Sequence, residues 1–162
     1  SLPKVYGGFN TSLSWKGFDL SAIFAYSIGG YIYNRDITMI LHNGSLEGRD
    51  WSTEILKRWT PDNRYTDVPA LSTTSNDWNS ASTRFLQNNS YMRLKNLTLS
   101  YNLPKQWISK LSLSSVQVYV QGDNLFTIHR NQGLDPEQGI TGITYYRYPA
   151  MRTISGGINV SF

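Results

Sequence analysis

The stretch Thr153-Ile154-Ser155-Gly156-Gly157-Ile158-Asn159-Val160-Ser161-Phe162 governs the reading of the whole chain. Counting back from Phe162, the residues Phe162, Val160, Ile158, Gly156 and Ile154 fall on one face of an extended segment. Ser161, Asn159, Gly157, Ser155 and Thr153 fall on the other. Side chains alternate across a strand, so a period of two predicts a strand with one apolar and one polar side. The same period recurs upstream. Val116, Val118 and Val120 alternate with Gln117, Tyr119 and Gln121; Leu97, Leu99, Tyr101 and Leu103 alternate with Asn96, Thr98, Ser100 and Asn102. Val5, Gly7, Phe9, Thr11, Leu13 and Trp15 oppose Tyr6, Gly8, Asn10, Ser12 and Ser14. After a turn at Lys16-Gly17, Phe18, Leu20, Ala22, Phe24, Tyr26 and Ile28 align, with Asp19, Ser21 and Ser27, but also Ile23 and Ala25, behind them.

Alternation alone fits two architectures, a soluble β-sandwich and a transmembrane β-barrel. The connections separate them. They run short, long, short, long: a turn at Lys16-Gly17, a segment near 34–89, a link near 104–114, and a loop near 128–150. Loops beyond about 15 residues are uncommon in compact soluble domains, whereas membrane barrels combine short periplasmic turns with long external loops. Applied here, the short turns and Phe162 share one side and the long loops the other. Trp15, Phe18, Tyr101, Trp107 and Phe162 all lie at the short-turn ends, where an interfacial aromatic girdle belongs.

Composition agrees. Only 16% of the 162 residues are charged and 14% are aromatic, including five Trp and eleven Tyr. An average soluble domain carries roughly 25% charge, and a disordered chain would have fewer aromatics. The net charge of +4 is spread over scattered basic residues, so no phosphate-tracking stripe forms and nucleic acid is not an expected partner. The chain has no Cys, which removes disulfides, thiolate metal sites and Cys nucleophiles. Its best apolar run, 22–33, is too short for a spanning helix and contains Gly29-Gly30. Any membrane crossing must use strands.

The candidate sites divide by location. In the first long loop, Ile55, Leu56 and Trp59 at helical spacing predict a short helix over 45–59, stopped by Pro61, with Trp59 as its packing anchor. Trp51 and Trp78 are the substrate-contact candidates there, since exposed indole faces stack on sugar rings or peptide side chains. Gln117, Tyr119, Gln121 and Asp123 are candidates to line a wet interior. Two residues break the pattern: Arg93 and Lys95 have the parity of the apolar face, which is costly in lipid. Either they lie above the hydrocarbon or a bulge between Lys95 and Leu97 shifts the register. No catalytic, cofactor or metal site is expected. His42 and His129 stand beside or in loops with no nucleophile in view, and the closeness of Asp135 and Glu137 reads as a rigid turn about Pro136.

Several runs carry a family resemblance. Arg58-Trp59-Thr60-Pro61-Asp62-Asn63 with Thr66-Asp67-Val68-Pro69 resembles a segment of the SusC/RagA family of TonB-linked outer-membrane transporters. So do the run from Ser90 to Pro104, Asn124-Leu125-Phe126-Thr127, and Gly133-Leu134-Asp135-Pro136-Glu137, in family order across essentially the whole chain. The resemblance implies an all-β fold with a short helix in a long loop, whose antiparallel up-and-down strands form the C-terminal segment of a large transmembrane β-barrel. Residues 1–162 would make one such segment, with strands near 5–15, 18–33, 90–103, 115–127 and 151–162. It further implies import of glycans or peptides through the outer membrane of a Gram-negative, Bacteroidetes-like cell. The implied partners are the rest of the barrel and its plug, a SusD-like surface lipoprotein, the outer-membrane lipid and the barrel-assembly machinery. Ser155, Gly157, Val160 and Phe162 match the terminal assembly signal of outer-membrane proteins. The alternative is a soluble carbohydrate-binding β-sandwich. Closed membrane barrels need at least about eight strands, so five imply a fragment of a longer chain or one chain of a split barrel.

Overall fold

The computed structural model of the protein describes residues 2–42, 44, 46, 48–72, 74, 80–111, 113–131, 133–137, 139 and 141–162. The elements are β1 (Val5–Trp15), β2 (Phe18–Ile28), β3 (Tyr31–Asn34), α1 (Arg35–Ile40), β4 (Leu86–Asn88), β5 (Tyr91–Asn102), α2 (Lys105–Ile108), β6 (Ser115–His129), β7 (Ile143–Thr144) and β8 (Thr153–Ser161). They form two compact units. One contains the long strands β1, β2, β5, β6 and β8; the other contains residues 31–88 and 137–147.

The first unit is a five-stranded sheet in the order β1-β2-β5-β6-β8, antiparallel at every step. Partners directly opposite one another share a face, so the register tests the alternation. Phe9 pairs with Phe24 and Leu13 with Leu20. Leu20 then pairs with Leu99, Leu99 with Val120, and Val118 with Ile158. The apolar face is therefore continuous over all five strands. The turn at Lys16-Gly17, the 103–114 link and the end of β8 meet at one edge of the sheet, because Trp15 pairs with Phe18, Phe18 with Tyr101, and Ser115 with Ser161. The aromatics gather at that edge: the Phe18 and Tyr101 rings lie 4.5 Å apart, and Trp15, Trp107 and Phe162 are exposed.

A β-sandwich would bury this apolar face against a second sheet. It is open instead, with Leu99 at 42%, Val118 at 43%, Val160 at 44% and Ile158 at 66% exposure. The soluble-sandwich alternative is thus not the arrangement found.

Two local features depart from simple alternation. The expected strand 18–33 is broken, because Gly29 and Gly30 both take positive φ (81° and 74°), a region open to glycine at little steric cost. The chain turns there, and β3 joins β4 and β7 in a separate small sheet of the second unit. The other departure is a bulge at Lys95. Asn96 pairs with Asp123 and Leu94 with Phe126, leaving Lys95 out of both neighbouring ladders. One extra residue swaps the faces of what precedes it. Met92 and Leu94 thereby join the apolar side, and Arg93 turns to the polar side opposite Ala25 and Thr127. The parity conflict at Arg93 is removed by the backbone.

The second unit has a small core of its own built from Ile32, Ile55, Val68 and Phe85. Its helical content differs from expectation. The α-helix is α1, capped by Asn34, whose side chain accepts the Ile37 N–H at 3.1 Å. Over 45–59 there is only a 3-10 turn at Thr53–Lys57, capped by Ser52; positions 45 and 47 lie outside the described residues. Ile55 is buried, but Leu56 and Trp59 are exposed. The Trp59 N–H donates to the Val68 carbonyl at 2.7 Å, which ends helical bonding there, so Trp59 is not a packing anchor.

Deleting Lys95 should leave Leu94 beside Asn96 in strict alternation, opposite the consecutive Phe24 and Ile23, with Arg93 still on the polar face, so the protein should still fold. Deleting Lys95 and Asn96 together removes one residue too many, sends Arg93 to the apolar face and should abolish folding. The recovered yield of folded, protease-resistant protein distinguishes the two; equal yields would show that the bulge does not set the register.

Candidate functional site

The polar side of the sheet is a hydrogen-bonded surface. Gln117, Tyr119, Gln121 and Asp123, the interior-lining candidates, alternate along β6 and share this side. Asp123 accepts from Asn96 Nδ2 at 2.8 Å and from Gln121 Nε2 at 3.2 Å, while Thr98 donates to Asn96 Oδ1 at 2.9 Å. Nearer the short-turn edge one chain of side-chain bonds crosses every strand. Ser14 donates to Asp19; Asn102 Nδ2 donates to the second Asp19 oxygen at 2.7 Å; Gln117 Nε2 donates to Asn102 Oδ1 at 3.1 Å; and Asn159 Nδ2 donates to Gln117 Oε1 at 3.2 Å. Amides and one carboxylate satisfy one another here in an exposed row, which suits a face in contact with water rather than with acyl chains.

Tyr119 does something different. It stands directly across from Gly157 in the β6–β8 ladder, and its ring lies over that glycine. A Cβ at 157 would come within 2.8 Å of the phenol oxygen and 2.9 Å of the ring carbon that bears it. Gly157 therefore provides the space that lets the tyrosine lie flat on the last strand. Of the other assembly-signal candidates, Ser155 pairs with Gln121 and Val160 with Val116, and Phe162 projects beyond β8 with its side chain exposed.

Above the bulge sits the strongest electrostatic feature of the sheet unit. Arg93 and Asp135 form a buried ion pair, their side chains 3% and 8% exposed. Arg93 Nε also donates to Thr127 Oγ1 at 2.9 Å, and the second Asp135 oxygen accepts the Ala150 N–H at 2.7 Å. One carboxylate thus ties together both ends of the loop that leaves β6 and returns to β8, and fastens them to β5. Next to it Asn89 Nδ2 donates to the Pro136 carbonyl at 2.9 Å, and Asn131 Nδ2 donates to Asn89 Oδ1 at 3.2 Å. The sequence reading of a rigid turn about Pro136 agrees with these bonds, but the role of Arg93 as partner was not legible.

In the second unit, Trp51 is held by its edge. Its indole N–H donates to His42 Nδ1 at 3.1 Å, with the rings nearly perpendicular at 82°. His42 is buried, and its Nε2 has no hydrogen-bond partner among the described residues. Trp51 itself remains 41% exposed, a fixed ring with a free face. Trp78 lies outside the described residues. Lys57 donates to Glu54 at 2.8 Å, which holds its ammonium group above the ordinary lysine range. No group of three or more His, Cys, Asp or Glu that could hold a metal ion occurs among the described residues.

Removing one partner of a buried ion pair leaves an uncompensated charge, at a cost of about 3–5 kcal/mol. Arg93→Met alone and Asp135→Leu alone should each destabilise the protein by about that much. The double variant should cost clearly less than their sum. Denaturant midpoints measure all three, and strict additivity would show that the pair is not coupled.

No family model matches the chain. It is 34% identical to the TonB-dependent receptor P3 of Formosa agariphila over 99% of its own length and 16% of that protein's. It is 28% identical to the TonB-dependent receptor SusC of Bacteroides thetaiotaomicron over 96% of its length and 15% of the receptor's. Among solved structures, the RagAB peptide importer in its closed-closed state superposes with a TM-score of 0.85 at 35% identity, covering 99% of this chain and 17% of that one. A second structure of the RagAB peptide transporter gives 0.87 over the same coverage. The chain thus spans about one-sixth of the length of the relatives it matches. Its open antiparallel sheet is a segment of a larger barrel, and over nearly its whole length the chain is similar to one segment of the SusC/RagA-type TonB-dependent receptors.

Proposed function

We propose that these residues form part of the wall, the external loops and the assembly signal of a transporter that carries glycans or peptides across the outer membrane of a Gram-negative, Bacteroidetes-like cell. The observation that carries this reading is the exposed apolar face running through Phe9, Leu13, Leu20, Leu99, Val118 and Ile158. Leaving one large aliphatic or aromatic side chain in water forgoes roughly 1.5–3 kcal/mol. Summed over these six side chains, each 39–66% exposed, that loss is comparable with the whole stability of about 5–15 kcal/mol typical of a domain. Acyl chains remove the penalty. Strands of 9 to 15 residues are also long enough to cross the hydrocarbon when tilted, for which about 9–11 suffice.

In this reading the polar face, with Gln117, Tyr119, Gln121 and Asp123, lines the wet interior. The short-turn edge faces the periplasm, and the loops that carry Trp51 and Trp78 face outward, where those indoles meet substrate. The outer strands β1 and β8 pair with the rest of the barrel, which surrounds a plug, and a SusD-like lipoprotein covers the outer side. Ser155, Gly157, Val160 and Phe162 are read by the assembly machinery, for which an exposed terminal aromatic on an unpaired strand is an accessible handle. The role is transport, not catalysis, and needs no cofactor in this segment. Both oxygens of Asp135 are committed to Arg93 and Ala150, which leaves that carboxylate unsuited to acid or base chemistry.

Charges placed on the lipid side of a barrel cost about 2–4 kcal/mol at mid-membrane. In the full-length receptor, Val118→Arg or Leu99→Arg should sharply reduce the amount assembled in the outer membrane, and uptake should fall in proportion. Gln121→Arg, on the other face, should leave assembly close to normal. Deleting Phe162 should slow assembly without changing uptake per assembled receptor. Membrane fractionation with a trypsin-resistance assay reads assembly; equal tolerance of arginine on both faces would reject the proposal.

A further inference from the structure

A pocket of about 370 Å³ opens beside α1, with Asp36, Met39, Ile40, Arg49, Asp50 and Tyr146 in its wall. One wall is built at a conformational cost. Tyr146 has a φ of 48°, unfavourable for a bulky residue, and is held there by two bonds. Its N–H donates to Asp36 Oδ1 at 3.1 Å, and its phenol oxygen accepts from Arg49 Nη1 at 3.2 Å. The same hydroxyl lies 3.5 Å from Met39 Sδ. The Arg35 guanidinium packs over the adjacent Tyr145 ring at 4.9 Å. Residues about a hundred positions apart thus fix the shape of the pocket before any ligand arrives.

The chemistry left over inside it is specific. Asp50 makes no hydrogen bond or ion pair among the described residues. Asp36 has committed one oxygen, and Arg49 has used a single side-chain donor of its five. Met39 and Ile40 add an apolar wall to a pocket that holds two carboxylates and one guanidinium. Covering an unpaired carboxylate with an apolar ligand removes water from it without compensation, and a neutral donor offsets that loss only in part. Covering it with an ammonium group offsets that loss by a charge-assisted hydrogen bond.

We propose that this pocket binds the amino end of a peptide. The ammonium group sits against Asp50 and the uncommitted oxygen of Asp36, the first carbonyl accepts from Arg49, and an apolar first side chain packs on Met39 and Ile40. A neutral sugar can donate a hydroxyl to Asp50 but brings no positive charge to set against the two carboxylates. The inference refines the import reading to one substrate class, and it rests on that reading only for the supply of peptide at the outer surface.

The test is calorimetric titration of the purified full-length receptor with leucyl-glycyl-glycine, its N-acetylated form, and maltotriose. The free tripeptide should bind, and acetylation should weaken it. Asp50→Asn, which removes the charge of an exposed side chain without fold contacts, should weaken the free tripeptide by about ten- to a hundredfold, the loss expected for one hydrogen bond to a charged group. The same variant should leave the acetylated form unchanged. Equal binding of the free and acetylated peptides, no effect of Asp50→Asn, competition by maltotriose, or no binding of the tripeptide at millimolar concentration would each overturn the assignment. The titration uses neither TonB nor a membrane gradient. A receptor that binds the tripeptide as described but imports nothing would therefore refute the import proposal alone, and one that imports while ignoring acetylation would refute the pocket alone.

Discussion

The register of the antiparallel ladder is the constraint on which the rest depends. Because side chains alternate across a strand, a slip of one residue between neighbours would exchange the apolar and polar faces. The sheet holds one continuous apolar side only because Leu20, Leu99 and Val120 occupy successive matched positions, and Val118 meets Ile158 in the same way. Within this unit, among the described residues, no second sheet packs on either face, so side-chain packing there contributes little core. Ala22, Leu94 and Ile108 are the buried apolar residues described there. Backbone pairing specifies the geometry, and the environment of each face supplies the energy.

At one place the register must be broken to be kept. The sequence Met92-Arg93-Leu94-Lys95-Asn96-Leu97 cannot alternate regularly without sending either Arg93 or the downstream leucines to the wrong side. The bulge at Lys95 resolves the conflict by one residue. It also delivers Arg93 to where Asp135 arrives from the loop, so a local irregularity becomes the attachment point of a distant segment. Buried ion pairs add little net stability but fix geometry strongly. A pair that gathers Arg93, Thr127, Asp135 and Ala150 fits that description, since its effect is to hold the neck of a long loop at one level of the wall. Tyr119 over Gly157 acts similarly on the last strand: a bulky ring finds its place because the residue opposite has no side chain.

What the sequence disclosed follows from the range of the forces involved. The strands near 5–15, 90–103, 115–127 and 151–162 could be read because a period of two is a local property. The parity clash at Arg93 and Lys95 was legible for the same reason, and it named the bulge as one of two solutions. The break after Ile28 was harder, since the apolar run continues through Ile32 and only Gly29-Gly30 marks the turn. Asn34, a good helix cap, was the available signal for α1. The spacing of Ile55, Leu56 and Trp59 points to a helix farther along the chain, and the Trp59–Val68 backbone bond overrides it. The Arg93–Asp135 pair spans 42 positions and the Asp36–Tyr146 bond 110. No periodicity or motif carries information over that distance, so the pocket had to come from the fold.

The central claim is that the two faces of this sheet meet different solvents, and site-directed fluorescence examines it most directly. Single cysteines at positions 99, 118 and 158 and at 117 and 121 of the full-length receptor, with any other cysteine replaced by serine and each labelled with an environment-sensitive dye in lipid bilayers, would be challenged with a lipid-borne quencher and with aqueous iodide. The account predicts quenching from the lipid at 99, 118 and 158, and iodide access at 117 and 121, alternating between neighbouring residues along β6. The same response at 117 and 118, or protection of position 158 from both quenchers, would contradict it.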